Sequence, residues 1–231
     1  MKQLENCQIL DGTMLKIIAM ISMVFDHAGD IFFPGVLWPR MIGRLAMPLF
    51  SFCIAEGYIH THDRKQYLLR IGLFALISEI PFDLAFNGKI DFSHQNIMLT
   101  YFLAVVTLMI YDRIIGDEPH PDIGRIIAGL LAVLGMAVVA IIVRADYTCF
   151  AVIAVFLFYV LRTKRPLIRC TVGVAFLALS RTMSYYCTTG FSLIPLLLYN
   201  GQKGRNLKWL FYGFYPGHLL LLYLLKRILY S

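Results

Sequence analysis

Lys16 and His27 are the residues of this chain whose types and spacing most readily suggest chemistry. Both lie in the apolar stretch LDGTMLKIIAMISMVFDHAG, residues 10–29. On an α-helix, eleven positions at about 100° each leave both side chains within about 20° of one another after three turns, roughly 16 Å apart along the axis. A cation at one end of a stripe and an imidazole at the other suit a ligand that enters from one side and reacts towards the other. Histidine can act as a general base near neutral pH. Asp26 points about 100° away from it, and Asp30, at i+3, is better placed to orient the ring. Asp11 or Thr13 can cap the helix start.

Further ionisable residues sit inside or at the ends of apolar runs: Arg44, Glu56, Arg70, Glu79, Asp83, Arg181 and His218. A charge at bilayer depth costs at least about 2.5–3.5 kcal/mol, so such groups should face one another or a polar cavity. Arg44 and Glu56, twelve positions apart, are about 120° out of register and should meet different partners. Glu56 can orient His27 or hold an acceptor amine; equally it can pair with Arg70 or Arg44. Arg70 can meet a phosphate or simply mark a cytoplasmic end. Glu79 and Asp83 share a face across Pro81 and can attract a cationic amine or line a kink. Tyr215-Pro216-Gly217-His218 should break the last helix and turn His218 into a cavity. His94, Gln95 and Asn96 can be capping or site residues. His60-x-His62-Asp63 has no further ligand cluster beside it, so a solvated loop is favoured and no metal is expected. Cys7, Cys53, Cys149, Cys170 and Cys187 form no C-x-x-C and read as packing residues.

The elements that must hold these residues follow from composition. The 231 residues are 59% hydrophobic and 15% charged, with a mean hydropathy of +0.70. Soluble domains run near 45–50% apolar and about 25% charged, which sets aside a soluble enzyme or a disulfide-stapled module. Apolar segments fall at 13–29, 44–60, 67–87, 97–115, 124–143, 147–162, 167–181, 186–200 and 209–229. They are too long for barrel strands and lack period-2 alternation. The expected fold is all-α: one transmembrane bundle over 1–231, with about nine spans (eight to ten). With the amino terminus cytoplasmic, basic residues divide about two to one in favour of the inner side. The net charge of +7 is then topological. No basic cluster is interleaved with stacking aromatics, so no nucleic-acid partner is expected. No removable signal peptide is apparent in MKQLENCQILDG, so the first span should direct its own insertion.

The same residues carry a resemblance. The stretches LDGTMLKIIAMISMVFDHAG (10–29), GRLAMPLFSFCIAEGY (43–58), YLLRIGLFALISEIPFDL (67–84), LLLYNGQKG (196–204) and FYPGHLLLLYLL (214–225) resemble the TraX family. That family is named for a conjugative-plasmid protein that acetylates the pilin amino terminus. It looks related to large membrane acyltransferases in which a basic residue precedes a histidine by ten intervening positions, as Lys16 precedes His27. The resemblance implies an acetyl-CoA-dependent acyltransferase of the cytoplasmic membrane. The CoA body would lie at the cytoplasmic face and the thioester would reach towards His27.

On this reading His27, Asp26 and Glu56 form the catalytic group. Lys16, Arg44, Arg70 and His218 contact the acyl donor, and Glu79 and Asp83 contact the acceptor. The acceptor is an amine or hydroxyl, on a peptide or pilin-like protein among others. His27 either deprotonates it or carries the acetyl group transiently. A small-solute or proton-coupled transporter is the competing class, with buried Glu56, Asp83 and His218 as relays; no symmetry between the halves of the chain supports it.

Overall fold

The computed structural model describes residues 8–116, 121–180 and 188–230, and all regular structure among them is helical. The helices begin and end where side-chain chemistry allows. Asp11 opens α1 (Gly12–Phe32) by accepting from the Met14 N–H at 2.8 Å. Two shorter helices follow, α2 (Leu37–Gly43) and α3 (Ala46–His60). Asp63 caps α4 (Arg64–Asn87) through the Gln66 N–H at 2.9 Å, and Gly88, at φ +68°, ends it. Asn96 caps α5 (Ile97–Ile115), which ends at Gly116 with φ +72°. Both glycines take a left-handed conformation that costs other residues free energy. Asp122 caps α6 (Ile123–Ile142). The chain continues through α7 (Thr148–Val160), a 3₁₀ turn at Leu161–Thr163, α8 (Pro166–Ala178), α9 (Leu193–Leu197) and α10 (Lys208–Leu229).

Helix α7 lies at the centre, against α3, α5, α6 and α8, with Ala151, Val152, Ala154, Val155 and Phe158 fully buried. Helix α1 packs on α2, α3 and α10, and α10 bridges α1 to α4. The end where α1 starts is called lower here, the opposite end upper. At the lower end α1 is tied to the segment after α9, by Leu10 N–H to Leu198 carbonyl (3.0 Å) and Gly12 N–H to Gln202 carbonyl (2.8 Å). At the upper end Gln95 and Asp146 exchange backbone bonds across two loops: Gln95 donates to the Arg144 carbonyl, and Asp146 donates to the Gln95 carbonyl.

Among the described residues, three stretches are long and apolar enough to cross a membrane: Leu37–His60, Ile97–Ile115 and Ile123–Ile142. Helix α6 turns Leu131 (61% exposed) and Ile142 (72%) outwards, and α4 turns Leu73, Leu76 and Ile80 outwards. So large an apolar belt is unfavourable against water and ordinary against lipid tails. The chain has the character of a helical membrane protein. Helices α1, α4 and α10, of 21, 24 and 22 residues, also have the length and carry the inward-facing charges.

The sequence-derived segments differ from the structure in three places. The 44–60 segment is the second part of a longer stretch broken between Gly43 and Ala46, which leaves Arg44 at a helix junction. Within 186–200 the described residues form only short turns of helix, and α9 has five residues, about 7.5 Å at 1.5 Å per residue. Helix α10 also runs unbroken through Pro216, contrary to the expected interruption. Arg181, Cys7 and Cys187 lie outside the described residues.

Close helix approach near the upper end depends on glycine. A Cβ on Gly43 would collide with Cβ and Cγ of Asp26, atoms near the α1 backbone, whereas one on Gly135 of α6 would meet nothing within 4 Å. Gly43→Ala should therefore cost about 1–3 kcal/mol of overpacking and lower the unfolding midpoint in detergent. Gly135→Ala should leave the midpoint unchanged or raised. Equal midpoints for the two variants would contradict this packing.

Candidate functional site

Helix α1 presents Lys16 and His27 towards the same neighbour, α10. The Lys16 ammonium lies over the Phe211 ring at 5.0 Å from its centroid. Two turns further along α10, His218 meets His27: Nδ1 of His27 is 2.8 Å from Nε2 of His218, with the rings stacked 5.0 Å apart. The other His218 nitrogen, Nδ1, is 2.8 Å from the Phe214 carbonyl of its own helix. A carbonyl oxygen can only accept, so His218 Nδ1 carries a hydrogen and, in the neutral ring, Nε2 is the acceptor. His27 Nδ1 must then donate, which leaves the lone pair on His27 Nε2. Among the described residues no protein group donates to that nitrogen. Phe86 packs edge-on to His27 at 5.2 Å, and Tyr215 lies at 6.4 Å. A half-buried imidazole with its orientation fixed on one side and its basic nitrogen open on the other is equipped to take a proton or an acyl group.

His218, expected among donor-binding residues, lies against His27. Asp30, expected to orient His27, pairs with Arg40. Asp26 does not meet the ring either: its carboxylate is held by Arg44, with Arg40 Nε at 3.8 Å. Arg44 is buried, also donates from Nε to the Arg40 carbonyl at 3.1 Å, and reaches the Tyr147 hydroxyl at 3.3 Å. It sits in the upper half with Asp26, away from Lys16, so the four residues expected to contact the donor divide into two groups.

The other group lines a cavity of about 250 Å³ that runs from the lower end, between α1, α3, α4 and α10, up to Met98 and Tyr101 near the start of α5. Lys16, Arg70, Lys203 and Lys208 bring positive charge to its wall; Phe50, Phe211 and Tyr212 supply apolar and aromatic surface. Arg70 Nη1 donates to Gln66 Oε1 at 3.1 Å. Glu56 opens on this cavity and not on His27. One carboxylate oxygen is 2.7 Å from Nη2 of Arg169, and the other accepts from the Tyr199 hydroxyl at 3.0 Å and lies 3.4 Å from His60 Nε2. Its ionic partner is therefore Arg169 of α8, neither Arg70 nor Arg44. Arg44 and Glu56 do meet different partners, but the break between Gly43 and Ala46 takes Arg44 off the helix of Glu56, so helical register is not the reason.

Glu79 and Asp83 are buried and hold the loop between α4 and α5. Glu79 accepts from the Asn96 side chain, and Asp83 accepts from the Asp91 N–H at 2.8 Å. Among the described residues, Oε1 of Glu79 and Oδ1 of Asp83 have no hydrogen-bond partner. Asn96 thus caps α5 and binds Glu79, while His94 lies 4.0 Å from Asp146. In the same loop, hydrogen bonds from Ser93 hold the Asp91 carboxyl below its usual range.

Arg169, Tyr199, Lys203 and Lys208 also belong to this site, and sequence pattern alone does not mark them. The first lies in a run of basic residues that reads as topology, and the other three follow the shortest helix. The resemblance stretch 196–204 includes Tyr199 and Lys203 and was the available signal.

The Asp26–Arg44 pair has a measurable consequence. Arg44→Ala strands a mostly buried carboxylate and should destabilise the protein by about 3–5 kcal/mol. Adding Asp26→Asn should recover part of the loss, as read by thermal unfolding in detergent. A double variant no more stable than Arg44→Ala alone would contradict the pairing.

Three comparisons bear on kinship. A TraX family model, described as TraX protein, matches residues 11–226. The chain is 28% identical over 243 residues to a probable fimbrial assembly protein FimC, serogroup H1, of Dichelobacter nodosus, covering 93% of this chain and 95% of that one. It is 33% identical over 90 residues to the uncharacterized protein RP591 of Rickettsia prowazekii (strain Madrid E), covering 39% of this chain and 33% of that one. No solved structure matches. With the family match running from the cap of α1 almost to the end of α10, this chain belongs to the TraX family.

Proposed function

We propose that the protein is a multi-pass acetyltransferase of the cytoplasmic membrane. It moves an acetyl group from acetyl-CoA to an amine or hydroxyl acceptor, with His27 as the reacting base. One observation carries the reading: an imidazole with an open Nε2, held by His218, stands three turns above a basic cavity on the stripe of α1 that also bears Lys16. In this account the amino terminus is cytoplasmic and the bundle has about nine spans, so the lower cavity opens to the compartment that holds CoA. Lys16, Arg70, Lys203 and Lys208 hold the donor's phosphates, and the aromatic wall takes the adenine or the pantetheine arm.

Two routes balance. In the first, His27 Nε2 takes the proton of the acceptor as it attacks the thioester carbonyl, and the departing CoA thiolate then takes that proton. In the second, Nε2 attacks the thioester itself and CoA leaves as the thiolate; the acceptor then displaces the acetyl group from His27, and the proton it loses goes to the thiolate. The Nδ1 hydrogen can pass to His218 Nε2 while the acyl-imidazole exists, so His218 serves both. CoA release in the absence of acceptor distinguishes the second route from the first.

The buried, unpartnered oxygens of Glu79 and Asp83 would take an ammonium group of the acceptor once it enters the bundle. The kinship with a probable fimbrial assembly protein favours a pilin-like polypeptide whose amino terminus carries that group.

Purified protein in detergent should bind acetyl-CoA and acetylate a peptide with a free amino terminus, read by mass. His27→Ala should reduce transfer by at least about 10²-fold while leaving binding intact. His218→Ala should reduce it less, and His218→Gln, whose amide oxygen can still accept from Nδ1, less again. Lys203→Ala and Lys208→Ala should weaken binding instead. Absence of both binding and transfer in the wild type would overturn the enzyme assignment, and full transfer by His27→Ala would overturn the role of His27.

A further inference from the structure

The cavity that holds Lys16 does not extend to His27. On α1 its wall is formed by Gly12, Leu15 and Lys16, and on α10 by Phe211 and Tyr212. On α3 it is formed by Phe50, Cys53, Ile54 and Gly57 among others, and on α5 by Met98 and Tyr101. Further up, the same stripes carry Ala19, one turn above Lys16, and Met23, two turns above it, on α1, with Tyr215 on α10 and Met47 on α3; Tyr101, in the cavity wall, faces this layer from α5. Met47 precedes Phe50 by three positions and Ile54 by seven, which places it on the cavity-facing stripe of α3. Met23, Met47, Tyr101 and Tyr215 are each at most 8% exposed. The Tyr101 hydroxyl donates to Sδ of Met47 at 3.2 Å, joining α5 to α3 across the layer. His27 stands directly above, one turn beyond Met23 and within ring contact of Tyr215.

We propose that this layer is the passage for the acyl end of the donor and sets the length of acyl group the protein accepts. The inference rests on the acyltransferase reading, since it concerns how a thioester held in the lower cavity meets His27. Methionine is suited to such a place: its unbranched thioether side chain has three rotatable bonds and can move aside without leaving a fixed void. A closed layer of two methionines and two tyrosines must part for the narrow pantetheine arm and a two-carbon acyl group. Each extra methylene must then be accommodated between Met47 and Tyr101. The Tyr101–Met47 bond keeps the layer shut when no donor is bound, which separates the two aqueous ends of the bundle.

The test compares acetyl-CoA with butyryl-CoA on the full-length protein, by rate of transfer and by thermal shift on binding. The wild type should favour acetyl. Met47→Ala, which removes the side chain from the layer, should raise the butyryl-to-acetyl ratio by about tenfold or more. It should also raise the relative binding of butyryl-CoA, a readout independent of turnover. Tyr101→Phe, which removes only the hydroxyl, should move both ratios in the same direction by less. Met47→Leu, nearly equal in volume, should leave them unchanged, which separates acyl selection from loss of fold. Wild-type protein that transfers acetyl while Met47→Ala leaves both ratios unchanged overturns the role of this layer alone. Wild-type protein that neither binds nor transfers overturns the acyltransferase reading and this inference with it.

Discussion

A charge in a low-dielectric interior must find a partner, and much of this bundle's architecture follows from how its intramembrane charges do so. Asp26 finds Arg44 and Arg40, and Glu56 finds Arg169. Asp112 accepts from Tyr58, Tyr159 and Arg64 at the lower end. Each pair joins separate helices: α1 to the α2–α3 junction, α3 to α8, and α5 to α3, α4 and α7. Breaking one member of such a pair costs several kcal/mol because the survivor is stranded. The pairs therefore fix relative helix positions that apolar contacts among lipid-like side chains leave less well determined.

The histidine pair is set within this frame and differs from it. Two neutral imidazoles share one hydrogen, and the direction of that bond is dictated by a backbone carbonyl at its far end. Nothing beyond Phe214 can receive a proton, so the chain from His27 to His218 to carbonyl is a support and not a conducting wire. Its effect is to fix which nitrogen of His27 stays basic. Asp26, adjacent in sequence, is withheld from the ring by two arginines. A carboxylate on Nδ1 would make His27 a stronger base; a second imidazole orients it without adding charge to the interior.

Much of this was legible in the sequence where it depended on one helix at a time. Helix boundaries at 97–115 and 209–229 follow from apolar runs, and the common face of Lys16 and His27 follows from their spacing on α1. The partners were not legible, because they are set by packing between elements: His27 meets His218 across 191 positions, and Glu56 meets Tyr199 across 143. Local reasoning favoured Asp30 for His27 since i+3 is close on a helix, but Arg40 competes for that carboxylate from the next helix. Proline also misled. Pro216 removes one backbone donor without breaking α10, because the rest of that helix is packed against α1 and α4.

The central claim is that His218 leaves the basic lone pair of His27 on Nε2. Nitrogen-15 NMR of histidine-labelled protein in detergent, with His27 assigned by comparison with His27→Gln, reads the tautomer directly. The account predicts a neutral ring with a hydrogen on Nδ1 and none on Nε2, and a change in that pattern on His218→Ala. A hydrogen on Nε2 with Nδ1 bare, unaffected by His218→Ala, would contradict it.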